Sequence, residues 1–171
     1  MREWEINRAL LREPLIDIGA GKLPLNIPGL EVVPWDKADG DATTMRNVED
    51  GFYMTVYSHH CLEDLDNPIL ALQNWDRILA RGGILYVTVP HRNLYEKRRT
   101  LPSRFNAAHK TMWLPDRADP PDTFSLYHTV RAACPQLEFI SMRVVSSDYV
   151  DLPPDIHPQG DFHLEIVMRK P

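Results

Sequence analysis

An apolar run, Leu15-Ile16-Asp17-Ile18, breaks abruptly into Gly19-Ala20-Gly21, and a carboxylate, Asp36, stands at the end of the next apolar run. This arrangement constrains the chain strongly. Glycine is needed where backbone must pass close to a ligand, and an acid beyond the following strand can accept from both hydroxyls of a ribose. The order therefore predicts an adenosine-type cofactor lying across a parallel sheet, with Asp17, Gly19, Ala20 and Gly21 shaping the loop beneath it. A further acid follows in Asp41-Ala42, then an aromatic-rich strand running into Ser58-His59-His60.

Along the chain, residues 5–12 place Ile6, Ala9 and Leu10 on one helical face before Pro14. Residues 15–18, 30–34 and 52–57 read as strands. Asn67-Pro68 is an N-cap followed by proline at the first helical position, and Ile69, Leu72, Trp75 and Leu79 recur at helical spacing. Gly82-Gly83 is expected to stop that helix, and residues 84–89 form a buried parallel strand. Residues 91–121 are polar, basic and broken by proline, a connection of a length that is usually functional or disordered. Asp122 is expected to open a helix carrying Phe124, Tyr127, Val130 and Cys134 inward. Residues 137–147 and 162–168 are the last strands.

The stretches LIDIGAGKLP, VVPWDKADGDATTM and TVYSHHCLEDLDNPILALQNWDRILARGGILYVTVPHR, with YEKRRTLPSRFNAAHKTMW more loosely, resemble the class I S-adenosylmethionine (SAM)-dependent methyltransferases, in the type 11 branch. The matching text keeps the family's order over about two thirds of the chain, far more than one glycine motif would. The resemblance implies an α/β, Rossmann-like sheet, mostly parallel with an antiparallel last strand, and SAM as cofactor. Carried onto this sequence, it makes Asp36 the ribose carboxylate, and Asp41 with Ala42 the pair that meets adenine. Ser58 and His59 join the cofactor residues at the same sheet edge. His60, Leu62 and Glu63 match the family's Leu-Glu-His text, while Asp64 stands where the family has its second histidine. His60 or His109 is the expected general base. The implied acceptor is a small molecule, and the alternatives are a SAM- or nucleoside-binding module without turnover and a structural subunit that docks a partner.

The family's usual helices between the first and second strands, and between the second and third, do not fit here. Pro24 and Pro28 interrupt residues 22–29, and residues 37–40 are too few. The sheet is thus expected to be reduced in helices on one face. Because parallel strands are apolar on both faces, something else must cover the other one. A homodimer, with Trp4 and Leu11 near the contact, is the expected solution.

Length and composition set the remaining bounds. A chain of 171 residues, 43% apolar and 25% charged, reads as one domain over residues 1–171. A net charge of −5 argues against nucleic acid and anionic membrane as partners. The acidic N-terminus and the absence of a long apolar run predict a cytoplasmic protein. Its 2 cysteines, Cys61 and Cys134, are expected to be reduced thiols. No histidine pair has the HxxxH or HxH spacing of a metal site, so none is expected. A dinucleotide fingerprint fails because Pro24 sits where its third glycine belongs. The basic run Lys97-Arg98-Arg99, with Arg104 and Lys110, suggests an anion clamp over the acceptor, with Phe105 and Trp113 as stacking surfaces.

Overall fold

The computed structural model describes residues 8–171. Six strands form one sheet in the order β2-β1-β3-β4-β8-β7: β1 (Leu15–Ile18), β2 (Val32–Trp35), β3 (Tyr53–His59), β4 (Leu79–Pro90), β7 (Glu138–Val145) and β8 (His163–Arg169). Strands β1, β2, β3 and β4 pair in parallel, and β8 runs antiparallel to both β4 and β7. This is the mostly parallel sheet with an antiparallel last strand that the sequence predicts. β1 falls on the expected residues because its apolar run is buried throughout, while β2 and β3 extend one to two residues beyond the expected ends.

Helix α1 (Pro68–Ile78) begins as expected: Asn67 Oδ1 accepts from Leu70 N at 3.0 Å, and Pro68 occupies the first turn, where no donor is lost. Its end differs. Gly82 does not cap the helix, which stops at Ile78, and Leu79 already enters β4 opposite Tyr53. Gly82 instead takes φ +77° inside the extended segment, where its N–H reaches Lys170 O. Ile69 is exposed, so the buried stripe of this helix is Ala71, Leu72, Trp75 and Ile78.

Two further strands, β5 (Met112–Leu114) and β6 (Thr123–Ser125), form a small parallel pair within what the sequence presents as loop. Asp122 consequently leads into β6. Helix α2 (Leu126–Ala133) starts later, with the Ser125 hydroxyl accepting from His128 N.

The larger core lies where α1 and α2 cover Ile16, Ile18, Val56, Leu85, Val87, Ile166 and Met168 on one sheet face. On the opposite face, Leu15, Tyr57, Ile84, Tyr86 and Val167 are closed over by Leu11, Leu25 and Ile27, with Leu10 and Leu30 beside them. The segment between β1 and β2 therefore does the work of a missing helix by alternating apolar side chains downward between its prolines. The apolar patch on which the expectation of a homodimer rests is thus covered by the chain's own residues. Leu11 is buried within the patch, while Trp4 lies outside the described residues. Of the expected N-terminal helix, the described part is a single 3-10 turn, Arg8–Leu10.

Candidate cofactor-binding cleft

At the carboxyl edge of the parallel strands lies a cleft of about 530 Å³, lined by Gly19, Asp36, Lys37, Gly40, Asp41, Ala42, His60, Cys61, Asp64, Leu65, Ala108 and Lys110. The turn after β1 forms its floor. Gly19 N and Ala20 N both donate to Trp35 O, at 2.9 and 3.2 Å, which ties the turn to the end of β2. Gly19 has φ +79°, and a Cβ on it would stand 2.5 Å from Cys61 Cβ. Only glycine allows the turn and the segment after β3 to meet this closely.

The two acids expected to hold a nucleoside are both in the cleft wall. Asp36 is half-buried, with Oδ1 accepting from Lys37 N at 2.7 Å. Asp41 Oδ1 accepts from Thr43 N at 2.8 Å and Oδ2 from the Thr44 hydroxyl at 3.1 Å. The backbone N–H of Thr43 is the main reason that its pKa lies below the usual carboxylate value, so Asp41 is ionised and fixed in direction. Helix α1 positions this loop in place of a missing helix. Trp75 Nε1 donates to Ala42 O at 2.8 Å, and Arg77 donates to Met45 O and Val48 O, at 2.8 and 2.9 Å, and bridges to Asp50.

Of the remaining expected site residues, His60 lines the cleft and the others take supporting places. His60 adopts φ +52° with its N–H on Thr88 O, and its ring stacks on His59 at 4.1 Å between centroids. His59 is buried, with Nδ1 2.6 Å from the Thr88 hydroxyl, and Ser58 is fully buried beneath it. Asp17 is likewise buried on the sheet's other face. Its Oδ2 accepts from Leu25 N at 2.7 Å, so it anchors the covering segment outside the cleft. Gly21 is exposed and Ala20 buried, both beside the lining. Burial, reinforced by Glu63, Asp64 and Asp36, pushes the Cys61 thiol up to about 12, which keeps it protonated and inert.

His109 is elsewhere. Its neighbours Ala108 and Lys110 line the cleft, but its own ring is buried among carboxylates, with Nδ1 2.7 Å from Glu96 Oε1 and Nε2 3.8 Å from Glu63 Oε1. A solvent-connected base is not what this environment makes.

Of the expected anion clamp, Lys110 lines the cleft, while Lys97, Arg98, Arg99 and Arg104 are not in its lining. Lys97 pairs with Asp151 at 3.1 Å and donates to Leu152 O, while Arg92 and Arg99 share Asp119. Those two guanidiniums hold the Asp119 carboxyl at about 2. Phe105 packs edge-on against Tyr95 and His157, and Trp113 is fully buried in the core. Together with Tyr149 OH donating to Leu94 O at 3.1 Å, these contacts knit residues 91–121 and 148–161 into one preformed wall.

A second feature escapes any sequence motif. Tyr86 donates to Glu165, which also takes Arg143 in a fork at 2.8 and 3.0 Å, and His163 lies edge-on to His59 and His60. Desolvation lowers His163 to about 4. These residues come together because β8 is inserted antiparallel between β4 and β7, a pairing of distant segments that no local pattern records.

Comparison with known proteins bears on the fold. A family model described as a methyltransferase domain, type 11, matches residues 24–87, a span that holds Asp36, Asp41, Ala42 and His60. No curated protein matches the chain in sequence. Among solved structures, a SAM-dependent methyltransferase and possible histamine N-methyltransferase from Thermotoga maritima is similar, with TM-score 0.58, 20% identity, and coverage of 96% of this chain and 86% of that one. A SAM-dependent methyltransferase from Methanosarcina mazei has TM-score 0.62 at 14% identity, covering 99% of both chains. A protein that converts a disulfide into a thioacetal in echinomycin biosynthesis has TM-score 0.66 at 16% identity, covering 95% of this chain and 78% of that one.

Proposed function

We propose that the chain is a class I SAM-dependent methyltransferase of the type 11 branch and transfers the cofactor's methyl group to a small-molecule acceptor in the cleft at the sheet's carboxyl edge, a reading supported by the family match over residues 24–87 and the methyltransferase fold of similar structures. The observation that supports this reading is the convergence of the Gly19 turn, Asp36, Asp41 and His60 on one cavity of about 530 Å³. That volume lies within the usual range of small-molecule sites. Its lining carries three carboxylates, Asp36, Asp41 and Asp64, against two lysines, Lys37 and Lys110. A modest excess of negative charge suits a ligand whose sulfonium and ammonium outnumber its single carboxylate.

In this reading Asp36 accepts from the ribose hydroxyls and Asp41 from the adenine amine, each already aimed by a backbone N–H. The Gly19 turn lets the cofactor lie close to backbone. SAM, when bound, supplies a methyl on a positively charged sulfur that leaves as a neutral thioether. The chain then has mainly to align the acceptor and exclude water. Ala108, Lys110 and Leu65, which line one side of the cleft, serve the second purpose. In this reading His60 receives a proton from the acceptor, with its ring stacked on His59. Net charge and the size of the cleft favour a small acceptor over a polyanion.

A panel of small amines, phenols, carboxylates and thiols, scored by mass spectrometry for the demethylated cofactor, tests the proposal. Acceptor-dependent product that falls at least tenfold in His60→Gln is expected. Retained cofactor binding with no turnover on any acceptor class would favour the binding module instead.

A further inference from the structure

The carboxylate cluster around His109 has no part in methyl transfer as proposed. Glu63 and Glu96 are 1% and 2% exposed, and the His109 ring lies between them. Its Nδ1 is 2.7 Å from Glu96 Oε1, a hydrogen bond, whereas its Nε2 is 3.8 Å from Glu63 Oε1, too far for one. Among the described residues, Glu63 Oε2 has no hydrogen-bond partner, and neither has the buried Oδ1 of Asp64. Carboxylate oxygens withdrawn from water and left without a donor are costly, and a cation near them would offset that cost.

The spacing has the right scale. Glu63, Asp64 and His109 each offer one ligand atom, and all three lie within 4.8 Å of one another. In a tetrahedral set, nitrogen and oxygen ligands about 2.0–2.2 Å from an ion stand about 3.3–3.6 Å apart, so the widest separation here closes by about 1 Å when the ion is held. Its outer shell is already in place. A carboxylate holding one imidazole nitrogen, so that the other nitrogen's lone pair points away from it, is the usual support of a metal-bound histidine, and Glu96 holds Nδ1 in this way. Lys110 N and Thr111 N both donate to Glu63 O, at 2.7 and 3.1 Å, so the two chain segments that supply the ligands are fastened side by side. Asp64 also lines the open cleft, which gives an ion its entry path.

We propose that Glu63, Asp64 and His109 bind one first-row divalent cation, with Glu96 as the positioning residue behind the imidazole. One imidazole with two carboxylates suits Mn²⁺, Fe²⁺ or Zn²⁺ better than Ca²⁺ or Mg²⁺, which favour all-oxygen shells. The site does not depend on the cofactor reading.

The test is titration of the full chain, stripped with chelator, with MnCl₂ followed by the paramagnetic signal of free Mn²⁺, and with ZnCl₂ followed by calorimetry. One equivalent of at least one ion should bind, and its addition should raise the melting temperature. Asp64→Asn should weaken binding at least tenfold and remove the thermal shift, and Glu63→Gln should do the same. Asp64 is half-buried, so its variant decides the matter if Glu63→Gln does not fold. Glu96→Gln should weaken binding less. Absence of stoichiometric binding by the unaltered chain, or binding by Asp64→Asn equal to it, overturns the proposal.

Discussion

Placing a methyl group on Gly19 should break the cleft floor in a way that a change at Cys61 partly repairs. In Gly19→Ala the new Cβ meets Cys61 Cβ at 2.5 Å and Sγ at 2.8 Å, about 1 Å inside ordinary contact. The φ of +79° adds about 1–2 kcal/mol for any residue with a Cβ. Either the turn leaves Trp35 O or the segment after β3 moves, so the loss of stability should exceed the φ penalty alone. With Cys61→Gly in the same chain, the nearest remaining atom is the Cα at 3.7 Å, an ordinary distance, and only the backbone penalty survives. Urea denaturation of the four proteins of this cycle should give a favourable coupling of about 1–3 kcal/mol. Additive effects of the two substitutions would refute the claim that this close approach dictates glycine at position 19.

Three further outcomes follow from the same structure. Leu25→Ala should cost about 2–5 kcal/mol in denaturant unfolding, because Leu25 helps to close the apolar patch on the second sheet face, and a loss under 1 kcal/mol would mean that something else seals it. His163, at about 4 in the folded chain against 6.5 unfolded, binds fewer protons than the unfolded chain between those values. It therefore contributes stability above pH 6.5 that is lost as pH falls toward 4, at most about 3 kcal/mol. His163→Phe should flatten stability over that window relative to the unaltered chain, even though His59 and His60 lie close by, and an unchanged slope would remove His163 as the cause. Hydrogen exchange of residues 95–110 should change little when cofactor is added, since Lys97 and Tyr149 already join this segment to residues 148–161, and strong new protection would show a closing lid instead.

What the sequence made legible was whatever sits within one element or one turn. The apolar run before Gly19 and the Asn67-Pro68 start of α1 carry their signal locally, whereas the antiparallel last strand is implied by the family resemblance and by no local pattern. The end of α1 was misread because Gly82 looks like a helix stop, while the chain had already turned into β4 at Leu79 and used that glycine inside the strand. β5 was hidden because Met112–Leu114 is only 3 residues long and its partner follows a run of prolines. The cover over the second face reads as a proline-broken loop, and only the structure shows Leu25 and Ile27 turned down onto Tyr57 and Tyr86. The site divides in the same way. Asp36, Asp41 and His60 follow strand ends and so could be placed, whereas His109 joins Glu63 and Asp64 only through the hydrogen bonds of Lys110 and Thr111 to Glu63 O, which no spacing rule encodes.

The central claim is that the cleft at the sheet's carboxyl edge holds SAM through Asp36. Calorimetric titration of the purified chain with SAM, beside Asp36→Ala, tests it most directly. Two charge-assisted hydrogen bonds of about 1.5–3 kcal/mol each are at stake. One equivalent should bind to the unaltered chain, and affinity should fall at least tenfold in the variant while its melting curve stays unchanged. An equal dissociation constant in both proteins, or no binding to either, would contradict the account.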